Sequence, residues 1–334
     1  MGSYQLQQLL PMWPNEVRGG PNPLLRSAFF AAVASKHRKI FEDRSSAAKE
    51  PEGITIAAQD GVSIKYTGTQ LNQYDADVFF EVLHRSRRSP LGTDAFFTGS
   101  EFLESIGRVR NNLNYEDLDT SLRRLKRGTV DVAWRGAGHR PMAYTGSLIA
   151  EYERETTSKL YKVSLFPKIK ILFEPTSLTY LQWQDRKLLI RAPLAQWLHS
   201  YFSSHARPFP VTVGFLQEKS GHASSRRADF SRTLRAAVEV LRDKLDWQIE
   251  WTGDLLKVEH KPTSSQKRHI ERADRRKALL EGSKRPRQIA APVSLQNRST
   301  ARPKPTLSLS DASGMTSAAD MVAVLFPQGV KQRT

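Results

Sequence analysis

The chain has 334 residues, a formal net charge of +17, a pI near 10.1 and no cysteine. Without cysteine it forms neither disulfides nor thiolate metal sites, which is compatible with a reducing cytoplasm. No apolar run is long enough for a transmembrane helix, and the N-terminus lacks the pattern of a signal peptide. The positive charge favours a polyanionic partner, nucleic acid first and an anionic membrane second.

Short apolar stretches separated by polar ones mark the start of the chain. We expect residues 1–23, rich in Gln, Leu, Pro and Gly, to form an arm without a core of its own. The apolar stretch 24–33 is compatible with a helix, and the polar stretch 36–52 with a loop. Alternating hydrophobic residues around Asp60-Gly61 predict a β-hairpin over 54–66.

A basic helix that runs directly into a hairpin is the next predicted feature. Helices over 75–86 and 98–106 precede it, and Asn114 is its expected N-cap. Leu118, Leu122 and Leu125 form its apolar stripe. Its outward side chains are Thr120, Arg123, Arg124 and Arg127. Period-two alternation then predicts a hairpin from Val130 to Ile149.

The same order of elements recurs in the second half. A helix that starts at Pro193 precedes a longer helix over 225–245, which is followed by alternation around Gly253 that predicts a hairpin. The apolar stripe of the longer helix is Phe230, Leu234, Val238, Leu241 and Leu245. Its other side carries Ser225, Arg226, Arg227, Ala228, Arg232 and Arg235. Arginines among small residues suit a DNA major groove, although the helix taken alone fits a solvated surface helix equally well.

This repeated layout predicts an α+β protein with two winged-helix domains in tandem, each a helix-turn-helix plus a β-hairpin wing. We place the first domain at 24–155 and the second at 156–262. Residues 263–334 are expected to be a basic, largely disordered tail, which starts with a basic helix over 267–282.

Motifs for catalysis are missing from the sequence. The nearest match to a nucleotide-binding loop, from Gly214 to Ser220, lacks the glycine before Lys219. Among the eight histidines there is no close pair of the kind a metal-dependent nickase uses, and His199 and His205 are interpreted as structural or phosphate-facing. We therefore expect no enzyme activity, cofactor or metal. A winged-helix transcriptional repressor is the alternative, and a relaxase or primase is less favoured.

Several unusual stretches between about Leu10 and His260 point to a family. The densest is Pro193-Leu194-Ala195-Gln196-Trp197-Leu198-His199, with Ser204-His205-Ala206, Pro208 and Pro210. The others are Leu10-Pro11-Met12-Trp13-Pro14, Arg26-Ser27-Ala28, Tyr66-Thr67-Gly68, Leu71, Gln73, Asp75, Asp77-Val78, Val82-Leu83-His84, Arg87, Pro90-Leu91-Gly92 and Gly146-Ser147-Leu148. Together they resemble the TrfA family of plasmid replication initiators. The tail after residue 261 has no part in the resemblance.

The resemblance implies a plasmid-encoded, non-enzymatic protein of the bacterial cytoplasm, associated with the plasmid and the nucleoid. It implies binding to direct origin repeats, called iterons, as double-stranded DNA, and opening of an AT-rich segment, which adds single-stranded origin DNA as a partner. The implied protein partners are the host initiator DnaA, the replicative helicase DnaB and the sliding clamp. A monomer–dimer equilibrium, in which the dimer is generally inactive, is also implied and would serve plasmid copy control.

Two sets of site residues follow. We assign base reading to Arg226, Arg227, Arg232 and Arg235, and contact with phosphates or a second stretch of groove to Arg123, Arg124 and Arg127.

Sliding clamps accept short peptides with a glutamine and paired apolar residues. The candidate stretches for this contact are Phe29-Phe30, towards which the resemblance points, 8–12 and 324–326. Packing of Phe29 and Phe30 on the first domain is the alternative interpretation.

Overall fold

Helices and strands alternate along the chain in a mixed α+β fold. The computed structural model describes residues 9–41, 53–58, 61–135, 141–155, 157–173 and 178–283. The chain divides into two compact units, residues 1–281 and 282–334. All described residues except 282 and 283 belong to the first unit. The helices are α1 (Asn22–Leu25), α2 (Gln73–Ser86), α3 (Gly99–Ser105), α4 (Asn112–Arg127), α5 (Trp183–Leu188), α6 (Pro193–Ser203), α7 (Val213–Ser220), α8 (Arg227–Leu245) and α9 (Ser264–Ser283), with 3-10 helices at Ser35–His37 and Pro167–Phe173.

The strands form several small sheets. They are β1 (Val17–Pro21), β2 (Phe30–Ala31), β3 (Ile40–Phe41), β4 (Ile54–Ile56), β5 (Val62–Thr69), β6 (Leu71–Asn72), β7 (Asp94–Thr98), β8 (Thr129–Arg135), β9 (Pro141–Gly146), β10 (Glu151–Arg154), β11 (Leu160–Ser164), β12 (Leu178–Gln182), β13 (Val211–Thr212), β14 (Gln248–Thr252) and β15 (Leu255–Glu259). The sheet orders are β3-β5-β8-β9 with β4 also on β5, β10-β11-β7, β13-β15-β14, β1-β12 and β2-β6. Only β2-β6 is parallel among these described pairs.

Helix α2 is the centre of the first half. It begins with a capping box, in which Asn72 Oδ1 accepts from the backbone amides of Tyr74 and Asp75 while the Asp75 carboxylate accepts from the Asn72 amide. Because almost all its side chains are buried, α2 also buries three carboxylates, and each is neutralised by arginine. The pairs are Arg38 and Arg124 with Asp75, Arg186 with Asp77, and Arg18 and Arg85 with Glu81.

Both predicted hairpins of the first half are confirmed. Strand β4 pairs with β5, and Ile54 lies opposite Tyr66. Strands β8 and β9 follow the basic helix α4, and Val130 lies opposite Gly146. Their turn, residues 136–140, lies outside the described residues. Strand β5 covers the other edge of β8, so the inward side chains of all three strands join one hydrophobic cluster around α2.

The second half has the predicted order of helix, helix, basic helix and hairpin. Its cluster packs α6 against α8 and includes Trp197, Phe230 and Leu234, all fully buried. Strand β13, between α6 and α7, pairs with β15, which pairs with β14. The predicted hairpin around Gly253 is thereby confirmed, and β13 adds a third strand to its sheet.

The expectation of an arm at the N-terminus is wrong for residues 9–23. Leu10, Trp13 and Val17 are buried in the first cluster, and the Trp13 indole N–H donates to His84 Nδ1 at 3.0 Å. Strand β1 pairs with β12 along its whole length. Burial of these apolar side chains against α2 stabilises the segment, which the local composition did not indicate.

Two further expectations were wrong in detail. Only Leu24 and Leu25 of the apolar stretch 24–33 are helical, at the end of α1, and Phe30–Ala31 instead pairs as a strand with β6. Helix α4 starts earlier than expected: Asn111 is its N-cap, and its side-chain oxygen accepts from the Asn114 amide at 2.8 Å.

One buried arginine joins the two halves. Arg186 of α5 pairs with Asp77 of α2, and its guanidinium also donates to Ser200 Oγ of α6 at 2.7 Å and to Gln73 Oε1 at 3.0 Å. Gln196 of α6 donates to the second Asp77 oxygen at 3.1 Å. The first cluster ends at Trp183 and the second resumes at Leu189, so this network lies where the chain passes between them.

Candidate nucleic-acid interface

Helix α8 presents arginines to solvent. Phe230, Leu234, Val238 and Leu241 bury one side of it, as the sequence predicted. Arg226, Arg227, Arg232 and Arg235 are all exposed, and 82% of the Arg232 side chain is accessible. These four side chains are therefore available to a partner, while their assigned role in base reading stays a prediction.

Two contacts join these arginines to the hairpin. The Arg235 guanidinium lies 4.7 Å from the ring centroid of Trp251 on β14. Arg227 forms an ion pair with Asp254 in the hairpin turn, and the Asp254 carbonyl accepts from the Val213 amide at the start of α7 at 3.1 Å. We call the resulting face the helix–hairpin surface, which consists of Arg226, Arg227, Arg232, Arg235, Trp251, Gly253 and Asp254.

Charge is unevenly distributed along α8. Positions 226–235 hold four arginines and one acidic residue, Asp229, whereas 236–246 hold Arg242 and Lys244 against Glu239, Asp243 and Asp246. Arg232 lies 3.3 Å from Asp229, but both side chains are exposed, so water weakens this pair. The helix dipole adds positive potential at the same end. The N-terminal half of α8 is thus the part that attracts an anion.

Helix α4 offers a smaller basic surface. Arg123 and Arg127 are exposed near its C-terminal end. Its N-terminal half exposes Glu116 and Asp117 instead. Because the N-terminal part of a recognition helix is the part that enters the groove, these carboxylates make α4 the poorer reader of bases.

The prediction that Arg124 faces outward with Arg123 and Arg127 is wrong. Its guanidinium donates to Asp75 Oδ1 at 2.8 Å through Nη2, and Ser121 Oγ donates to the same oxygen at 2.7 Å. The Asp75 side chain is fully buried, and Arg124 neutralises it together with Arg38. This arginine is a structural residue.

The candidate clamp-binding residues Phe29 and Phe30 are also buried, at 2% and 3% exposure. Phe29 packs edge-on against Tyr66, with centroids 5.3 Å apart, and Phe30 packs against Phe79 and Phe80. A peptide motif for a clamp groove must be accessible, so these residues do not serve that role as the chain is folded. In stretch 8–12, Gln8 lies outside the described residues, as does the whole of 324–326.

His199 is buried in the second half, and His205 is partly buried. His199 stacks on Trp247 at a centroid distance of 5.6 Å, and His205 Nδ1 lies 2.8 Å from the Tyr201 carbonyl oxygen. Burial lowers the pKa of His199 to about 3 and that of His205 to about 4, with nearby positive charge acting in the same direction. Both rings are therefore neutral at physiological pH, which favours the structural interpretation over contact with phosphate.

Acid should destabilise the chain through His199. The folded state keeps this ring neutral, whereas an unfolded chain protonates it near its ordinary pKa of 6.5. The unfolded state thus binds more protons in this range, and the free energy of unfolding falls as pH drops from about 6.5 towards 3. For His199→Phe, which cannot be protonated, we expect the loss between about pH 7 and pH 5 to shrink by about 2 kcal/mol in urea denaturation. An unchanged loss would show that His199 is already solvated.

The sequence did not indicate every residue of the interface. The alternation around Gly253 predicts the strand that carries Trp251, but the contact of Trp251 with Arg235 depends on how the hairpin packs beside α8. No local pattern indicates that the Asp254 carboxylate, in the turn of this hairpin, pairs with Arg227. The Asn72–Asp75 capping box was a detectable local signal for the start of α2 and for a special role of Asp75.

The described residues contain no helix that is both long enough and apolar enough to cross a membrane. Within them there is also no group of three or more His, Asp or Glu side chains arranged to hold a metal ion.

The fold and this surface define an α+β protein with an exposed arginine helix joined to a hairpin. The model of the family described as TrfA protein matches residues 3–260, and the chain belongs to this family. The plasmid replication initiator protein TrfA of Escherichia coli is 26% identical over 243 residues, which cover 72% of this chain and 61% of that protein. The match thus spans less than two thirds of the length of that relative.

Two crystal structures of domains 2 and 3 of RctB have a distant likeness to the fold. One, of selenomethionine derivatives, has a TM-score of 0.41 and 13% identity, and covers 66% of this chain and 95% of that one. The other has a TM-score of 0.40 and 12% identity, and the match covers 68% of this chain and 93% of the RctB chain.

Proposed function

We propose that the chain is a plasmid replication initiator that binds origin repeats as double-stranded DNA through two winged-helix domains. The observation that carries the proposal is the helix–hairpin surface with its four exposed arginines. Two of them contact the hairpin, Arg227 through an ion pair with Asp254 and Arg235 through the ring of Trp251. Membership of the TrfA family supports the replication role.

The topology of the second half supports the winged-helix assignment. A helix, a strand, two helices and a hairpin follow one another, and the first strand pairs with the last in the order β13-β15-β14. The first half has a related order, α2, β7, α3, α4 and the β8-β9 hairpin, but there β7 pairs with β11. We therefore propose that the domains meet between Trp183 and Leu189, later than the boundary after residue 155 that the sequence indicated.

The two basic helices are proposed to have different tasks. Arg226, Arg227, Arg232 and Arg235 read bases from the N-terminal half of α8, where small residues such as Ala228 allow close approach to the groove. Arg123 and Arg127 of α4 contact phosphates, which orients the protein without specifying sequence.

Arg232→Ala and Arg235→Ala should each weaken binding to cognate repeats by about 1–3 kcal/mol, because each removes a contact with a base edge. Binding to random duplex should change much less. Fluorescence anisotropy with a labelled repeat and a labelled random duplex of equal length measures both at one salt concentration.

Arg123→Ala with Arg127→Ala is the matched control, since it removes two exposed arginines from the other helix. It should weaken cognate and random binding alike and flatten the salt dependence. If the α8 variants behave in the same way as this control, they lose only phosphate contacts and the assignment of base reading is wrong.

The remaining parts of the proposal rest on the family. We propose that the chain acts in the bacterial cytoplasm without enzymatic activity, helps to open the origin and exposes single-stranded origin DNA. The proposed partners are DnaA, DnaB and the sliding clamp, and a monomer–dimer equilibrium is proposed to limit initiation. Because Phe29 and Phe30 are buried, we propose that the clamp contact lies in the stretch 324–326 or, since Leu10 is buried as well, at the exposed Leu9 and Met12 of the stretch 8–12. Origin opening in the presence of DnaA separates this function from that of a transcriptional repressor.

A further inference from the structure

Helix α9 lies beyond the family match, which ends at residue 260. Its first turn is tied to the second half: Thr263 and Gln266 cap it reciprocally, and the Gln266 amide donates to the Ser203 carbonyl at 2.8 Å. Further along, Arg207 donates twice to the Asp274 carboxylate, at 2.8 and 2.7 Å. The contacts of the first turn fix where α9 leaves the second half, and the exposed Arg207–Asp274 pair lies further along the helix.

Arginines form a stripe on α9. At about 100° per residue, Arg268, Arg272, Arg275 and Arg276 fall within a sector of about 100°, and Asp274 lies opposite. From Lys267 to Leu279 almost every side chain of α9 is exposed. A helix with so little buried surface contributes few packing contacts to the fold. Packing therefore does not explain the arginine stripe, and we consider a role in binding.

The first part of the stripe lines a cleft of about 500 Å³. Arg268, His269 and Arg272 form one wall, while Arg26 and Asn22 contribute to the other. Arg26 is oriented by Ser204, whose Oγ accepts from its Nε at 2.8 Å. The rest of the lining is neutral and includes both polar and apolar side chains, and none of the described lining residues is a carboxylate. These neutral residues are Leu178, Thr179, Tyr180, Ser204, Ala206, Thr263 and Gln266.

We propose that this cleft binds phosphate groups of a nucleic-acid strand that continues along the α9 stripe. Guanidinium groups match phosphate oxygens in geometry and charge, and the absence of a carboxylate from the described lining leaves the anion without repulsion. Arg275 and Arg276 extend the positive surface beyond the cleft, which favours a chain of phosphates over a single anion. The cleft is a second nucleic-acid contact, independent of base reading by α8.

The test compares two double variants of the full chain. Arg268→Gln with Arg272→Gln removes the cleft arginines, and Lys267→Gln with Lys277→Gln removes the same charge from positions outside the stripe. Binding to a short labelled duplex of random sequence is measured over a range of salt concentrations. The arginine variant should bind several-fold more weakly at low salt, with a salt slope lower by about two, and the lysine variant should change less.

Equal effects of the two variants would overturn the proposal, because only net charge would then matter. Calorimetry with inorganic triphosphate tests the alternative that the cleft binds a free polyphosphate. Triphosphate binding that the arginine variant loses, with an unchanged salt slope for DNA, would assign the cleft to a free polyphosphate and overturn the nucleic-acid assignment. Both variants keep the α8 arginines, so discrimination between cognate and random duplex tests the proposed function separately.

Discussion

Replacing Phe29 and Phe30 together with alanine is expected to unfold the first half of the chain. Both rings lie in the cluster around α2, and Phe30 lies 4.9 Å from Phe29 and 5.8 Å from Phe80 between ring centroids. Each truncation of a buried phenylalanine costs about 3–5 kcal/mol, since it removes apolar contacts and leaves a cavity. The sum is comparable with the whole stability of a typical domain, about 5–15 kcal/mol.

Guanidinium denaturation followed by circular dichroism measures this loss. Phe96→Ala is the matched control, because Phe96 has the same side chain but is 61% exposed on β7. It should change the free energy of unfolding by less than about 0.5 kcal/mol. A double variant that unfolds at the same denaturant concentration as the original chain would mean that Phe29 and Phe30 are accessible, and would restore them as candidates for the clamp contact.

Arg186→Met is expected to cost about 3–5 kcal/mol, because it leaves the buried Asp77 carboxylate without its cation. The side chain of Arg186 is 1% exposed and that of Asp77 3%. The guanidinium also bonds to Gln73 and Ser200, so the variant should loosen the junction of the two halves as well as lower stability. Limited proteolysis near residues 183–193 reports that loosening.

Arg207→Met supplies the comparison for this pair. It also breaks an arginine–aspartate ion pair, but Arg207 and Asp274 are 62% and 52% exposed. Water already solvates both groups, so the expected loss of stability is much smaller than for Arg186→Met. Equal costs for Arg186→Met and Arg207→Met would contradict the importance of the buried network at the junction.

Local patterns were sufficient to predict helix α8 and both hairpins that follow basic helices. The apolar stripe of α8 repeats every three or four residues, and each hairpin alternates with period two around a turn. These signals depend on neighbours in the sequence, and the structure therefore agrees with them closely.

Positions set by distant partners were not predictable in the same way. Arg123 and Arg124 are adjacent and both looked outward, yet only Arg124 meets Asp75, which is 49 residues away in the chain. Trp13 appeared to belong to a loose arm, but its partner His84 is 71 residues away. The burial of Phe29 and Phe30 likewise depends on α2 and β5, whose positions no local pattern reveals.

Footprinting on the origin of the chain's own plasmid tests the central claim most directly. The full chain should protect short direct repeats, and Arg232→Ala with Arg235→Ala should lose that pattern at the same protein concentration while still binding random duplex. Uniform protection without repeats, or the same protected repeats with the α8 variant, would contradict the assignment of origin recognition to the helix–hairpin surface.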